Sequence, residues 1–521
     1  MQKFLECLKQ INKKDIGFNL YFLGLSALSG VLLALSFQKF NIFILAWVGL
    51  IPLIHCVLNS KRLYAVMYGF VAGLVFSIMS IYWMFPFLKM NTNSFVDSMA
   101  VSSLLWLYVT AYFVIWAVLL NYARKYLQGI KLVLFTAAAW VSLEYVRTYM
   151  LTGFPWNLLG YSQSTFYQII QIADIAGVYG VSFVIVIVNM MLYFYLKHKN
   201  KKYLLFSAIV IACLLAYGFA RIHKFDDNYG DRILKVGVIQ PNIEQYQRWQ
   251  SGFERVIFDT LRDNAAYFEG KNLDILIYPE TVLPVRLEEN TQARNFVFQT
   301  AHLANLTLIG GNLRENRQLY NTVFVLQNGR VVGRHRKSHL VIFGEFLPFS
   351  GTLLPRFLRS LAVLNSQGEL ARGTELQVFE FDDIALGINV CSENFLPCLT
   401  RNLVRQGANV LTHHANNAWF LDMATAYQHF AMNVFRAVET RKNFIVAANT
   451  GISGIIAPSG RVMTKTKVGE NISFAANVRT NNYKPVYVLI GNLFAQICVV
   501  FVILYLIFFG FKSFKSVRHK N

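Results

Sequence analysis

Charge is scarce in this sequence: Asp, Glu, Lys and Arg make up 15% of its 521 residues, while 55% are hydrophobic. So thin a polar complement excludes an intrinsically disordered chain and is unlike that of a soluble protein; it is the composition of a membrane protein. Acids are the scarcer sign, 28 against 49 Lys and Arg, for a net charge of +21. Such an excess would ordinarily raise nucleic acid or an anionic membrane surface as partner, so its position along the chain must decide. Cysteine is sparse as well. Cys7, Cys56, Cys213, Cys391, Cys398 and Cys498 are too few and too scattered for a disulfide scaffold. No thirty-residue repeat, heptad run or low-complexity tract is present.

What the sequence has in abundance is long apolar runs. A bilayer core needs about 20 mostly apolar residues per helix. Eight stretches qualify: residues 17–37, 41–58, 64–85, 99–121, 132–150, 173–196, 203–220 and 486–510. Between the last two the composition changes abruptly, and residues 221–484 carry nearly all the acids and most of the histidines. The expected organisation is a membrane domain of seven spans over 1–220, a soluble domain over 221–484, and an eighth span with a tail over 485–521.

Orientation follows from the short loops. Lys3, Lys9, Lys13 and Lys14 at the N-terminus, Lys61 and Arg62, Arg124, Lys125 and Lys131, the run from Lys197 to Lys202, and Lys512, Lys515, Arg518 and Lys520 all fall on one side. The opposite short loops hold only Lys39 and Lys89, with Arg147 at a span edge. Positive loops stay cytoplasmic, so both termini are expected inside and the soluble domain outside. Most of the net charge is therefore a topology signal, which removes the case for nucleic acid. Ala27-Leu28-Ser29 resembles a signal cleavage site, but cleavage there would leave seven spans and break the charge alternation.

Within the soluble block, strand-like KVGVIQ (235–240), DILIYPET (274–281), TLIGG (307–311), TVFVLQ (322–327), IALGINVC (384–391), ANVLTHHA (408–415), NFIVAANT (443–450) and GISGIIAPSG (451–460) are separated by helix-compatible segments, with a loop-rich stretch up to residue 383. This pattern predicts an α/β domain. Three polar residues sit where strands end or lead into loops: Glu280 after Ile275-Leu276-Ile277-Tyr278-Pro279, Lys337 in His335-Arg336-Lys337-Ser338-His339-Leu340, and Cys391 before Ser392-Glu393. Open α/β sheets hold their active groups at such ends.

The three residue types complement one another. A thiol attacks as thiolate, so a carboxylate such as Glu280 must take its proton. Attack on an ester carbonyl makes an oxyanion, which a fixed ammonium such as Lys337 and the backbone N–H after the nucleophile can stabilise. Taken singly, each has a plainer reading: Cys391 as a small buried hydrophobe, Lys337 as one more surface cation, Glu280 as a helix cap. Their joint occurrence in long, distinctive contexts favours the chemical one.

Those contexts carry a resemblance. Tyr278-Pro279-Glu280-Thr281, His335 to Leu340 with Phe343-Gly344-Glu345-Phe346-Leu347-Pro348, and Cys391-Ser392-Glu393 resemble the Glu-Lys-Cys signature of the nitrilase, or carbon–nitrogen hydrolase, superfamily. More narrowly, with Gly153-Phe154-Pro155-Trp156-Asn157-Leu158-Leu159-Gly160 between the fifth and sixth spans, the chain resembles the apolipoprotein N-acyltransferases of bacterial inner membranes. The resemblance implies a polytopic membrane domain joined to an αββα sandwich with its site facing the membrane. It implies a two-step exchange without cofactor or metal: Cys391 takes an acyl chain from a phospholipid, typically phosphatidylethanolamine, and passes it to the N-terminal amine of a diacylglyceryl-cysteine apolipoprotein. Glu280 is then the base and Lys337 the oxyanion partner, with Glu345 and Glu393 orienting Lys337 and the incoming amine.

Trp249 and Trp419 fall in segments the family uses as mobile arms over the entrance. Tyr82, Trp83 and Trp156 are expected at the outer membrane boundary, where an ordinary aromatic belt is the plainer reading. Ser392 stands where the family usually has an aromatic residue, which bears on acyl-chain preference. Membrane lipid is the expected environment and a monomer the expected state.

Three alternatives compete. A metal site among His335, His339, His413 and His414 is disfavoured because adjacent strand residues face opposite ways and zinc needs three or four convergent ligands. A membrane-bound amidase or hydrolase would have no use for a lipid-facing platform of eight spans. A transporter with an inactive sensor domain should carry charges inside its spans; Glu144, Arg147 and Asp174 lie at span ends and no buried charge chain is apparent.

Overall fold

The structure, a computed structural model, describes residues 13–92, 94–150, 153–244, 252–346, 369–419 and 423–518. Its first half is helical: α1 (Lys13–Ser36), a 3-10 turn (Phe43–Trp47) leading to α2 (Ile51–Leu58), then α3 (Arg62–Ser80), α4 (Phe95–Ala123), α5 (Gly129–Tyr149), α6 (Ala173–His198) and α7 (Lys201–Lys224). Among the described residues α3 to α7 are long and apolar enough to cross a membrane. Shorter apolar stretches occupy Leu20–Leu35, Phe43–Leu58 and Leu493–Phe509. The chain is a membrane protein.

Local chemistry sets the helix ends. Ser94 opens α4 by accepting the Asp97 N–H at 3.2 Å, and Asn200 opens α7 by accepting that of Lys202 at 3.0 Å. Lys199, left-handed at φ 52°, closes α6 just before it, so the basic run 197–202 is a tight connection. Four stretches expected as single spans are interrupted: the helix of 64–85 ends at Ser80, and that of 173–196 is kinked at Gly177, whose φ is 65°. Pro52, in the first turn of α2, starts a helix separate from the preceding 3-10 turn. Near the C-terminus a short helix, Val486–Ile490, ends at Gly491, whose φ of 64° no helix accommodates.

The second half is a sandwich. Its strands are β1 (Ile233–Gln240), β2 (Leu273–Ile277), β3 (Ala304–Glu315), β4 (Gln318–Gln327), β5 (Arg330–Arg336), β6 (Val378–Phe381), β7 (Ile384–Val390), β8 (Val410–Ala415), β9 (Phe444–Ala448), β10 (Gly454–Ile456), β11 (Val462–Lys465) and β12 (Ile472–Arg479). Among the described residues they form two six-stranded sheets, ordered β12-β1-β2-β3-β4-β5 and β11-β10-β9-β8-β7-β6. Helices α8 (Glu254–Ala266) and α9 (Thr291–Thr300) cover the first sheet, α10 (Pro397–Arg405) and α11 (Met423–Thr440) the second, and α12 (Leu493–Arg518) returns to the membrane domain. Period-2 alternation builds the layers: Val236, Val238, Ile275, Ile277 and Leu308 meet Ile388, Val390, Val410 and Ile445 between the sheets. Ile239 and Leu276 point the other way, onto Phe258, Leu261 and Phe296.

Two sequence expectations are corrected here. The stretch expected to be loop up to residue 383 contains β5 and β6. Edge strand β5 reads Arg-Val-Val-Gly-Arg-His-Arg and carries arginines at 330, 334 and 336, the usual guard of an exposed edge. The charges at the span ends are also buried and linked. Asp174 pairs with Arg221 at 2.5 Å and with Arg441 of the sandwich at 2.7 Å. Arg436 pairs with Glu439 at 3.1 Å, and Glu439 accepts the Val178 N–H of α6 at 2.9 Å. The links between the two domains, Asp174–Arg441 and Val178–Glu439, span 267 and 261 residues of sequence, so no local pattern reveals them, and they join the two domains rather than cross the membrane.

Candidate active site

Glu280 reaches the site because the chain turns sharply after β2. Thr281 has φ 42°, and the Pro279-Glu280-Thr281 backbone lies directly on Gly310 of β3. A Cβ on Gly310 would sit 2.3 Å from the Pro279 oxygen and 2.5 Å from the Thr281 nitrogen, so only glycine lets the turn close. The Glu280 carboxylate, 4% exposed, accepts the Asn321 side-chain N–H at 2.7 Å on Oε1 and the Asn416 backbone N–H at 2.8 Å on Oε2. Both asparagines escaped the sequence reading. Asn416 at least follows a strand, whereas Asn321 lies inside β4 with nothing to distinguish it.

Lys337 leaves β5 and turns inward. Its Nζ donates to Glu345 Oε1 at 2.7 Å and to Glu280 Oε1 at 3.4 Å. Burial opposes its charge, but the carboxylates of Glu345 and Glu280 outweigh burial and hold its pKa well above the usual lysine value. Lys337 is thus an ammonium fixed in place. Glu345 follows Phe343, itself at φ 63°, and its other oxygen accepts the Val341 N–H at 2.8 Å.

Cys391 is the first residue of a 3-10 turn, Cys391–Phe395, that follows β7, and it adopts φ 45°. A non-glycine residue there costs about 1–2 kcal/mol, and such strain concentrates at functional sites. Its carbonyl accepts from His413 Nε2 at 3.2 Å. Burial first, then the Glu280 charge, push the thiol's pKa up. At rest it is therefore a protonated thiol beside its proton acceptor. Cys391 and Cys398 are both free.

The structure therefore brings Glu280, Lys337, Glu345 and Cys391 together. Glu393 is adjacent, yet its carboxylate faces the neighbours of Lys337: Oε1 accepts from the Ser338 N–H and hydroxyl, both at 2.6 Å, and Oε2 from the Val390 N–H at 2.7 Å and His335 Nε2 at 2.9 Å. Against the cost of burial, His335 and Ser338 hold its pKa down at about 2. Ser392 is buried and donates to the His339 carbonyl at 2.6 Å. His413 and His414 diverge, the latter contacting the Tyr278 carbonyl at 2.7 Å.

Trp156 is 4% exposed. It donates to Gln428 at 2.5 Å and packs against Trp83 at 5.2 Å and edge-on to Phe395 of the nucleophile's turn at 5.0 Å. Trp249 lies outside the described residues. Trp419 ends the short 3-10 helix Asn417–Trp419, and its side chain is likewise outside them.

A Glu, Lys and Cys at the edges of two stacked sheets define a class, and residues 235–479 match the carbon-nitrogen hydrolase family model. Residues 29–191 match the apolipoprotein N-acyltransferase N-terminal domain. The chain is 33% identical over 493 residues to the apolipoprotein N-acyltransferase of Geobacter metallireducens, covering 91% of this chain and 92% of that one. It is 28% identical to the enzymes of that name from Haemophilus ducreyi, over 92% of this chain and 95% of that one, and from Aquifex aeolicus, over 85% and 95%. The chain belongs to the apolipoprotein N-acyltransferase family and is an acyltransferase of the carbon–nitrogen hydrolase superfamily.

Proposed function

We propose that the protein performs the last step of lipoprotein maturation, moving a fatty acyl chain from a phospholipid through a Cys391 thioester to the N-terminal amine of a diacylglyceryl-cysteine apolipoprotein. The observation that carries the reading is the Lys337 ammonium held by Glu280 and Glu345 at the turn where Cys391 stands in a strained, left-handed conformation. In the first step Glu280 takes the thiol proton as sulfur attacks the ester carbonyl. Lys337 and the Ser392 N–H stabilise the oxyanion. The ester C–O bond breaks, and Glu280 returns the proton to the departing lysophospholipid oxygen. In the second step the neutral amine attacks the thioester, the C–S bond breaks, and Glu280 carries the amine's proton to the thiolate. Glu345 keeps Lys337 charged and aimed, and Glu393 holds the turn that presents the nucleophile.

The donor in this reading is phosphatidylethanolamine. Trp249 and Trp419 belong to arms over the entrance, and Trp156 supports the nucleophile's turn from the membrane side. The three shorter apolar stretches complete eight spans with the five longer helices. The charge asymmetry of the loops then puts both termini in the cytoplasm and residues 221–484 in the periplasm, between a membrane domain over 1–220 and a final span over 485–521 in the inner membrane. The protein acts as a monomer.

The test is to incubate detergent-purified protein with phosphatidylethanolamine carrying a labelled acyl chain. Hydroxylamine-labile label should appear on the protein, be absent from Cys391→Ala, and chase onto a diacylglyceryl peptide. Label released only as free fatty acid would make the protein a hydrolase. No label on the wild-type protein would remove the thioester mechanism.

A further inference from the structure

Lys337 and Cys391 arrive from different sheets, yet acyl transfer needs them at one fixed separation. One carboxylate grips the chain on both sides of that gap. Glu393 takes the Ser338 N–H and hydroxyl on one oxygen and the Val390 N–H and His335 Nε2 on the other. The residues it grips therefore flank Lys337 on one side, at 335 and 338, and Cys391 on the other, at 390. A carboxylate has about four acceptor positions, and every one is filled, which leaves Glu393 no free position for an incoming amine. Ser392 adds a parallel tie through the His339 carbonyl at 2.6 Å.

Of the four donors, three belong to the Ser338 and Val390 segments that the clasp must hold. The fourth is an imidazole whose side chain is itself fully buried, facing an equally buried carboxylate. A buried charge is tolerated only when it is fully paired and hydrogen-bonded. Removing that donor would free one oxygen of Glu393 to turn away from Val390 in search of another partner.

We propose that His335 is a positioning residue for acyl transfer: by donating from Nε2 to Glu393 it fixes the separation between the Lys337 ammonium and the Cys391 sulfur. It touches no substrate. The inference rests on the catalytic roles proposed for Lys337 and Cys391. A displacement of about 1 Å at a reacting centre can cost on the order of 100-fold in rate, so the effect belongs in the rate constant for thioester formation and not in the lipid concentration that half-saturates it.

The experiment compares His335→Ala, His335→Gln and His335→Asn in single-turnover acylation by labelled phosphatidylethanolamine at several lipid concentrations, with melting in detergent as the check on folding. The glutamine amide reaches about as far as Nε2, whereas the asparagine amide stops near Nδ1. His335→Gln should recover most of the wild-type rate constant. Alanine and asparagine should both lie about 30- to 100-fold below it, with half-saturation unchanged. If His335→Ala does not fold, the glutamine–asparagine pair decides. A wild-type rate constant in alanine, equal rate constants for glutamine and asparagine, or an effect confined to half-saturation would overturn the proposal.

Alkylation of Cys391 by iodoacetamide, read by peptide mass, needs no lipid and should fall in the same order. A wild-type protein that forms no thioester but keeps this order would sink the acyl-transfer reading while leaving the positioning role standing.

Discussion

Helices α8 and α11 close opposite faces of the same sandwich, yet they differ in what surrounds them. α8 buries Ile257, Phe258, Leu261, Asn264 and Ala265 against the first sheet, while Val256 is 53% exposed. α11 is buried around its whole circumference from Ala424 to Thr440, with Tyr427 half-buried. One side of it packs on Leu411, Phe444 and Val446 of the second sheet, and the same apolar cluster runs on through Tyr161, Val178 and the membrane helices. Its polar residues are bonded across that boundary. Gln428 accepts from the Trp83 and Trp156 indoles at 3.2 and 2.5 Å and donates to the Gln38 and Ser80 carbonyls at 3.0 and 3.1 Å. The sheet that carries Cys391 is thus built into the membrane domain. The sheet that presents Glu280 and leads to Lys337 attaches to it through the inter-sheet core, the Glu393 clasp and polar ties such as Glu280–Asn416 and Gln240–Ser453.

The strongest way to break this asymmetry is Arg436→Ala. Arg436 is fully buried, pairs with Glu439 at 3.1 Å and donates to the Tyr161 hydroxyl at 2.9 Å. Removing one partner of a buried ion pair costs about 3–5 kcal/mol, because the other charge is stranded. The variant should melt well below wild type in detergent or fail to accumulate folded. Since His429 of the same helix packs edge-on to Phe395 at 5.0 Å, any folded remainder should also form its thioester slowly. A variant that melts with wild type would mean that α11 is not the anchor described.

Acid addresses the joint between the two halves. The Glu393 carboxyl titrates at about 2 against an ordinary 4.5. Its folded value is depressed, so its contribution is complete above pH 4.5 and is lost as the pH falls toward 2. For a fully buried group a shift of that size is on the order of 3 kcal/mol. Melting temperature measured from pH 6 down to pH 3 should decline below about 4.5, and Glu393→Gln should be less stable at pH 6 but flatter over the descent. The same decline in Glu393→Gln would assign the acid sensitivity elsewhere.

The sequence exposes what is local. Apolar runs announce the membrane helices because a span needs little beyond length and hydropathy; Glu280 and Cys391 are visible because they follow runs of strand-forming residues, and Lys337 through the long motif around it. The interruptions at Pro52 and Gly491 are lost, since one residue barely alters the mean over a long apolar window. β5 is lost because an edge strand is guarded by the arginines that make it read as loop. α11 carries Gln428, His429, Asn433, Arg436 and Glu439 among its apolar residues, so nothing in its period marks it as fully enclosed. Its partners lie in other domains, just as the four donors to Glu393 meet only when the two sheets stack. Position at a strand end is legible; closure between distant strands is not.

The smallest effect should come from the exposed side of the comparison. On α8, Arg262 pairs with Asp259 one turn earlier, and both side chains remain largely in solvent. An exposed pair three residues apart on a helix contributes about 0.2–1 kcal/mol, since water screens the attraction and two long side chains must be ordered. Arg262→Ala should therefore shift melting in detergent only slightly and leave the rate of thioester formation at the wild-type value. Raising the salt concentration should shrink even that small difference, because screening acts on exposed pairs and spares buried ones. The same salt series applied to Arg436→Ala should leave its deficit intact. If salt erased both deficits alike, the Arg436–Glu439 pair would be behaving as a solvated one, and the distinction between a helix resting on the sandwich and a helix enclosed by the membrane domain would fail.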